Sequence, residues 1–288
     1  MLAVHGESVT ARELAPALPE AGGRGVLSVD MLIAARARGF DAALVSGSGE
    51  LLQREVMAGR PAILMLRLLD APGTKRDVFH YVVADGADPG RGLLRFQFGD
   101  GRARWAPLAD VDGSWKPVGR ALLLVRARDD TDAAMERAVS LEKGARPQQA
   151  EALYREVLLV RPESARAWVN LGNVAAEQGR RTDAETAYRR ALEVAPEDRD
   201  ALNNLAWLLR AEPARLEEAE ALAARAAAQP GEDRPLALDT LGRIQAARGR
   251  CEEAVATLRE ALEAGALLDA TRASLLDGLA LAEACVVR

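Results

Sequence analysis

The sequence is poor in several residue types at once. Its whole thiol complement is Cys251 and Cys285, with no CxxC pair and no histidine nearby. That spacing signals neither a disulfide framework nor a zinc site, and it suits two small packing residues. Aromatic residues make up 4% of the chain, too few for the ring-rich strands of an all-β sandwich. Lysine is confined to Lys75, Lys116 and Lys143 among 38 basic residues, the rest being arginine.

Positive charge is not concentrated anywhere. Residues 1–130 carry 17 basic and 16 acidic groups and residues 131–288 carry 21 and 27, so neither half has the excess that neutralising phosphates needs. Nucleic acid is therefore not the expected partner. No apolar run reaches the roughly 18 residues of a membrane span, and MLAVHGESVTARE lacks both a basic segment and a long apolar one. For the chain as it stands a cytoplasmic place is expected, with export or a lipid anchor open if sequence precedes Met1. Gly-rich phosphate loops, HExxH and Gly-x-Ser-x-Gly are all missing, so no cofactor and no metal is expected.

What is present falls into two grammars, with 49% hydrophobic and 28% charged residues overall. In residues 1–130, Thr10 to Glu13 has capping-box spacing ahead of Leu14 and Leu18, and Ser28 opens a segment with Met31, Leu32 and Ala35 on one face that stops at Gly39. A third helix is expected from Leu51 to Ala58. Apolar runs of strand length follow at Ala62–Leu69, Val78–Val83, Leu93–Phe98 and Ala121–Val125, separated by Gly, Pro and Asp. Helices before strands is an α+β order.

From residue 131 onward everything reads as helix, and it repeats. Ala150, Tyr154 and Pro162 recur as Ala184, Tyr188 and Pro196, each 34 residues later. That period resembles the tetratricopeptide repeat (TPR), two antiparallel helices per unit. The clearest copy carries Trp168, Leu171, Gly172, Ala184, Tyr188, Ala191 and Pro196. Copies are expected at about 131–164, 165–198, 199–232 and 235–268, with a closing helix at 269–287. An all-α solenoid follows, since each pair buries its apolar face only against its neighbours.

The first half carries a second resemblance. Gly25-Val-Leu-Ser-Val-Asp30 through Gly39, then Ala58-Gly-Arg-Pro61, then Phe79-His80-Tyr81-Val82-Val83 with Gly86 and Asp88, resembles the papain-like bacteriocin-processing cysteine peptidases that cut after double glycine. The resemblance implies an α+β papain-like domain at 1–130. In that family a Cys-Gly-Pro segment at a helix start supplies the nucleophile, activated by the helix terminus and an imidazole, with a preceding Gln at the oxyanion hole. It implies His80 as the base and Asp100 or Gln97 at the third position. The nucleophile is absent from this sequence. Met1 to Gly6, with His5, resembles the tail of the helix that this Cys opens, so it would lie upstream of Met1. Two readings stand: a cysteine peptidase-like domain fused to a protein-binding array, or a non-catalytic TPR scaffold with a peptide-binding relic.

In a TPR solenoid the first helix of each pair lines a concave groove. Asn170 and Asn204 occupy the same position one period apart, with Asn173, Asn203 and Arg243 nearby. Amide side chains both donate and accept, so Asn170, Asn173 and Asn204 form a candidate ladder for an extended peptide, and Arg243 a candidate for its carboxylate. The alternative is a solvated polar face.

Overall fold

A computed structural model describes residues 28–69, 77–98, 102–263 and 268–287. The chain divides into two compact units, one formed by Met1–Arg137 with Glu156–Pro162, the other by Ala138–Arg155 with Glu163–Arg288. The first unit thus runs past residue 130 to Arg137 and also takes in Glu156–Pro162. The segments around His5 and Thr10–Leu18 lie outside the described residues.

The first unit is built on one sheet. Its elements run α1 (Ser28–Ala37), β1 (Phe40–Ser46), α2 (Gly49–Met57), β2 (Ala62–Leu69), β3 (Asp77–Asp88), β4 (Leu93–Gln97), β5 (Ala103–Pro107), α3 (Leu108–Trp115) and β6 (Ala121–Ala127). The strands pair antiparallel throughout in the order β1-β6-β2-β3-β4-β5. Alternation along each strand gives the sheet two different faces. Leu64, Leu66, Val82, Ala84, Leu94, Phe96, Leu122 and Leu124 pack with Leu52 and Val56 of α2 and with Val111 and Trp115 of α3. On the opposite face Phe40, Ala42, Leu123 and Val125 pack with Ala35, Met31 and Leu32 of α1. Trp115 is fully buried, and its indole N–H donates to the Ala121 carbonyl at 3.0 Å, which satisfies its one polar atom.

A buried ion cluster ties this unit together. Glu55 on α2 is 1% exposed and Arg126 on β6 is 5% exposed. Arg126 donates to both Glu55 oxygens at 3.1 and 3.0 Å, Arg60 donates at 2.9 and 3.1 Å, and Arg126 also caps the Glu156 carbonyl at 2.9 Å. Burial pushes the Glu55 carboxyl up, but the hydrogen bonds and charges of Arg60 and Arg126 outweigh it and hold the group below the usual carboxylate range. Arg161 makes a second clasp, donating to Asp41 and Asp132.

Helices α4 (Arg128–Lys143) and α5 (Pro147–Val160) follow, then α6 (Ala165–Glu177), α7 (Arg181–Val194), α8 (Arg199–Leu209), α9 (Leu216–Ala228), α10 (Arg234–Ala247), α11 (Cys251–Glu263) and α12 (Asp269–Val286). In the second unit the repeat positions are the packing positions. Ala184, Ala219 and Ala254 are completely buried where paired helices cross. Gly172 lies under Tyr188 so closely that a Cβ there would sit 2.5 Å from the ring, and Gly242 stands in the same relation to Leu258 at 2.6 Å. The step from Ala184 to Ala219 is 35 residues because a 3₁₀ turn at Pro213–Arg215 is inserted between α8 and α9.

The cysteines depart from the sequence expectation. They are not separate packing residues: Cys251, the first residue of α11, is disulfide-bonded to Cys285 near the end of α12, with Cα atoms 5.5 Å apart. Antiparallel neighbours bring the start of one helix to the end of the next, a proximity that spacing alone does not reveal.

A candidate peptide groove on the helical unit

The faces that meet in the second unit follow from helical spacing. Asn173 and Glu177 lie four apart on α6, and Asn204 lies three and four before Trp207 and Leu208 on α8, so each set shares one face. Together with Glu142 on α4 and Tyr188 on α7 they line a concave pocket of about 270 Å³, floored by Ala176 and Leu208.

Its polar side chains are ordered by one another. The Tyr188 hydroxyl donates to Asn173 Oδ1 at 2.9 Å, and Asn204 Nδ2 donates to the same oxygen at 2.9 Å. Asn203 Nδ2 approaches Asn204 Oδ1 at 3.4 Å. With both lone pairs of Asn173 Oδ1 taken, its amide N–H groups remain for a further acceptor. Burial first, and then the negative fields of Glu177 and Glu142, hold the Tyr188 phenol protonated far above its ordinary range. Trp207 is 42% exposed, and the Arg210 guanidinium lies 3.5 Å from its ring centroid.

Of the four residues expected to bind peptide, Asn173 and Asn204 meet in this pocket. Asn170 does not line it; it is half-buried one turn earlier on the same helix, in the surroundings of the Tyr154 hydroxyl, which donates to Glu142 at 2.6 Å. Arg243 departs from the expected carboxylate clamp. Its guanidinium donates to Asp239 at 2.8 Å, Asp277 at 3.1 Å and the Ser274 carbonyl at 2.6 Å, joining α10 to α12. It is a helix staple, with every guanidinium nitrogen engaged within the helical unit. Glu142, Glu177 and Trp207 are pocket residues that the repeat pattern did not single out, although the i+4 spacing of Glu177 from Asn173 and the i+3 spacing of Trp207 from Asn204 were there to read.

The residues implied by the peptidase resemblance are not assembled. His80 is an exposed residue of β3 that pairs with Leu66 and falls, by alternation, on the face of Val82 and Ala84. Gln97 pairs with Val83 and so belongs to the other face, where its amide donates to Asp85 at 3.2 Å. Asp100 lies outside the described residues. Both cysteines are joined in the second unit.

Similarity to known proteins bears on the helical part. A family described as the middle TPR-like domain of cilia and flagella-associated protein 70 matches residues 135–241, less than half of the chain. The helical unit is TPR-like. Nothing among curated proteins matches the chain. Solved structures similar to it include PilW, a widely conserved type IV pilus biogenesis factor, at 22% identity over 56% of this chain and 80% of that one, with a TM-score of 0.46. Pseudomonas aeruginosa PilF is 22% identical over 55% and 74%, with a TM-score of 0.48. YrrB, a TPR protein with an unusual peptide-binding site, is 21% identical over 52% and 75%, with a TM-score of 0.43. None of these similarities supports a papain-like peptidase in the first unit. No described helix is long and apolar enough to cross a membrane, and no described group of His, Cys, Asp and Glu is arranged to hold a metal.

Proposed function

We propose that this protein is a non-catalytic interaction protein whose TPR-like helices hold an extended segment of a partner protein. The observation that carries the reading is the shared acceptor at Asn173 Oδ1, which leaves that side chain's amide N–H pair unengaged in a pocket lined from three successive first helices, α4, α6 and α8. A main-chain carbonyl is the matching acceptor. At about 270 Å³ the pocket falls below the roughly 300–1,000 Å³ of small-molecule sites and suits one large side chain of a bound segment.

The peptidase-like alternative has less behind it, since His80 and Gln97 lie on opposite sheet faces. In the interaction reading the first unit is a folded α+β companion to the array.

The test is a selection of peptides from a random display library on the immobilised full chain. Peptides that bind the groove lose about ten-fold or more in affinity when Asn173 and Asn204 are both alanine, since each hydrogen bond contributes roughly 0.5–1.5 kcal/mol. Peptides whose affinity ignores that change contradict the groove.

A further inference from the structure

Resting on the groove reading, we infer that the pocket is selective for charge and takes a Lys or Arg side chain of the bound segment. Glu142 and Glu177 are the charged residues of its wall, and no basic residue lines it. Both carboxylates are felt within it, because together they help keep the Tyr188 hydroxyl protonated. A carboxylate side chain entering here meets like charge and gains no counterion, whereas an ammonium or guanidinium meets two.

The third wall element points the same way. Trp207 is half-exposed beside the carboxylates, and an indole face attracts cations more strongly than any other side-chain ring. The chain itself shows this affinity: Arg210 stacks on Trp207, and among the described residues no carboxylate pairs with that guanidinium. Arg210 is therefore an internal cation on the Trp207 ring, with the Asp239 charge in its field but no ion pair to it, and it competes with an incoming one. Asn173 supplies main-chain recognition beside the cation site, so the pocket reads a basic residue in an extended segment rather than a free amine.

The inference is tested on the full chain by nuclear magnetic resonance, following the Trp207 indole N–H, assigned with W207F. Three capped pentapeptides, acetyl-Gly-Ala-X-Ala-Gly-amide with X as arginine, norleucine or glutamate, are titrated to about 10 mM, beyond ordinary millimolar affinities. The arginine peptide is expected to give a saturable shift that weakens with added salt. In E142Q/E177Q its affinity falls by about five-fold or more, and in R210A it rises by about two-fold, with unchanged thermal midpoints confirming the fold. Norleucine or glutamate peptides binding as tightly as arginine, or an arginine affinity unmoved in E142Q/E177Q, overturn the inference while leaving the groove reading standing. Failure of all three peptides to shift Trp207 overturns both.

Discussion

Asn204 and Asn173, separated by 31 positions in sequence, are joined side chain to side chain at 2.9 Å, and the acceptor oxygen is the one that also receives the Tyr188 hydroxyl. Tyr188 is 2% exposed, so its hydroxyl depends on that acceptor. Replacing Asn173 with alanine is expected to cost about 1–3 kcal/mol by leaving a buried donor unpaired, while Y188F removes the donor itself and costs roughly 0.5–1.5 kcal/mol. In the double variant the two losses fall short of their sum, because the second change no longer strands a partner. Urea unfolding of the four proteins measures the coupling, and strict additivity contradicts the bond.

Gly172 and Gly242 predict a contrast with Gly113. A methyl group at either of the first two meets Tyr188 or Leu258, and overpacking of this kind costs about 1–3 kcal/mol. At Gly113, inside α3, an added Cβ meets nothing within 4 Å, and alanine there gains up to about 1 kcal/mol of helix propensity. Thermal melts of G172A, G242A and G113A should move down, down and up; a stabilised G172A contradicts the close helix crossing.

Glu55 and Arg126 make the first unit sensitive to loss of a single charge. R126M leaves Glu55 buried with Arg60 as its one remaining guanidinium partner among those described, and about 3–5 kcal/mol of stability is expected to go. Acid acts on the same group. Its folded-state pKa is lowered, so its contribution is complete above the ordinary value of 4.5 and is lost as pH falls through the lower folded value. Glu185, held at about 2 first by its hydrogen bond to Arg215 and then by Arg189, follows the same course in the helical unit between 4.5 and about 2. Unfolding midpoints that stay flat from pH 5 to pH 2 contradict both assignments.

Cys251 and Cys285 close a loop of 34 residues, for which chain-entropy arguments give about 2–4 kcal/mol. Reduction, or C251S, should lower the stability of the helical unit by that amount. Thiol titration of the native, unreduced protein should find no free cysteine, and iodoacetamide should affect no peptidase activity. A native thiol titre of two contradicts the pairing.

Strands β2, β3, β4 and β6 were legible because each is an apolar run between turn residues. Strand β5 was not: ARWAP has no buried face of its own and is set by its pairing with β4. Nor was β1, a seven-residue run whose Asp41 interrupts the apolar pattern and is accommodated only because Arg161, 120 residues away, reaches it. The repeat was legible from Tyr154 and Tyr188 because packing repeats when the crossing geometry does. Arg243 was misread for the opposite reason. Asp239 was four residues away on its own helix, but the acceptors that turn Arg243 into a staple arrive on α12, 31 and 34 residues later, where the sequence does not announce them.

The central claim, that the α4–α6–α8 face binds an extended segment through its paired asparagines, is tested most directly by one comparison. A display-selected peptide is titrated against the wild-type chain and against N173A/N204A, at a temperature where circular dichroism shows both folded. The account predicts a Kd about ten-fold or more weaker for the variant. An unchanged Kd contradicts it.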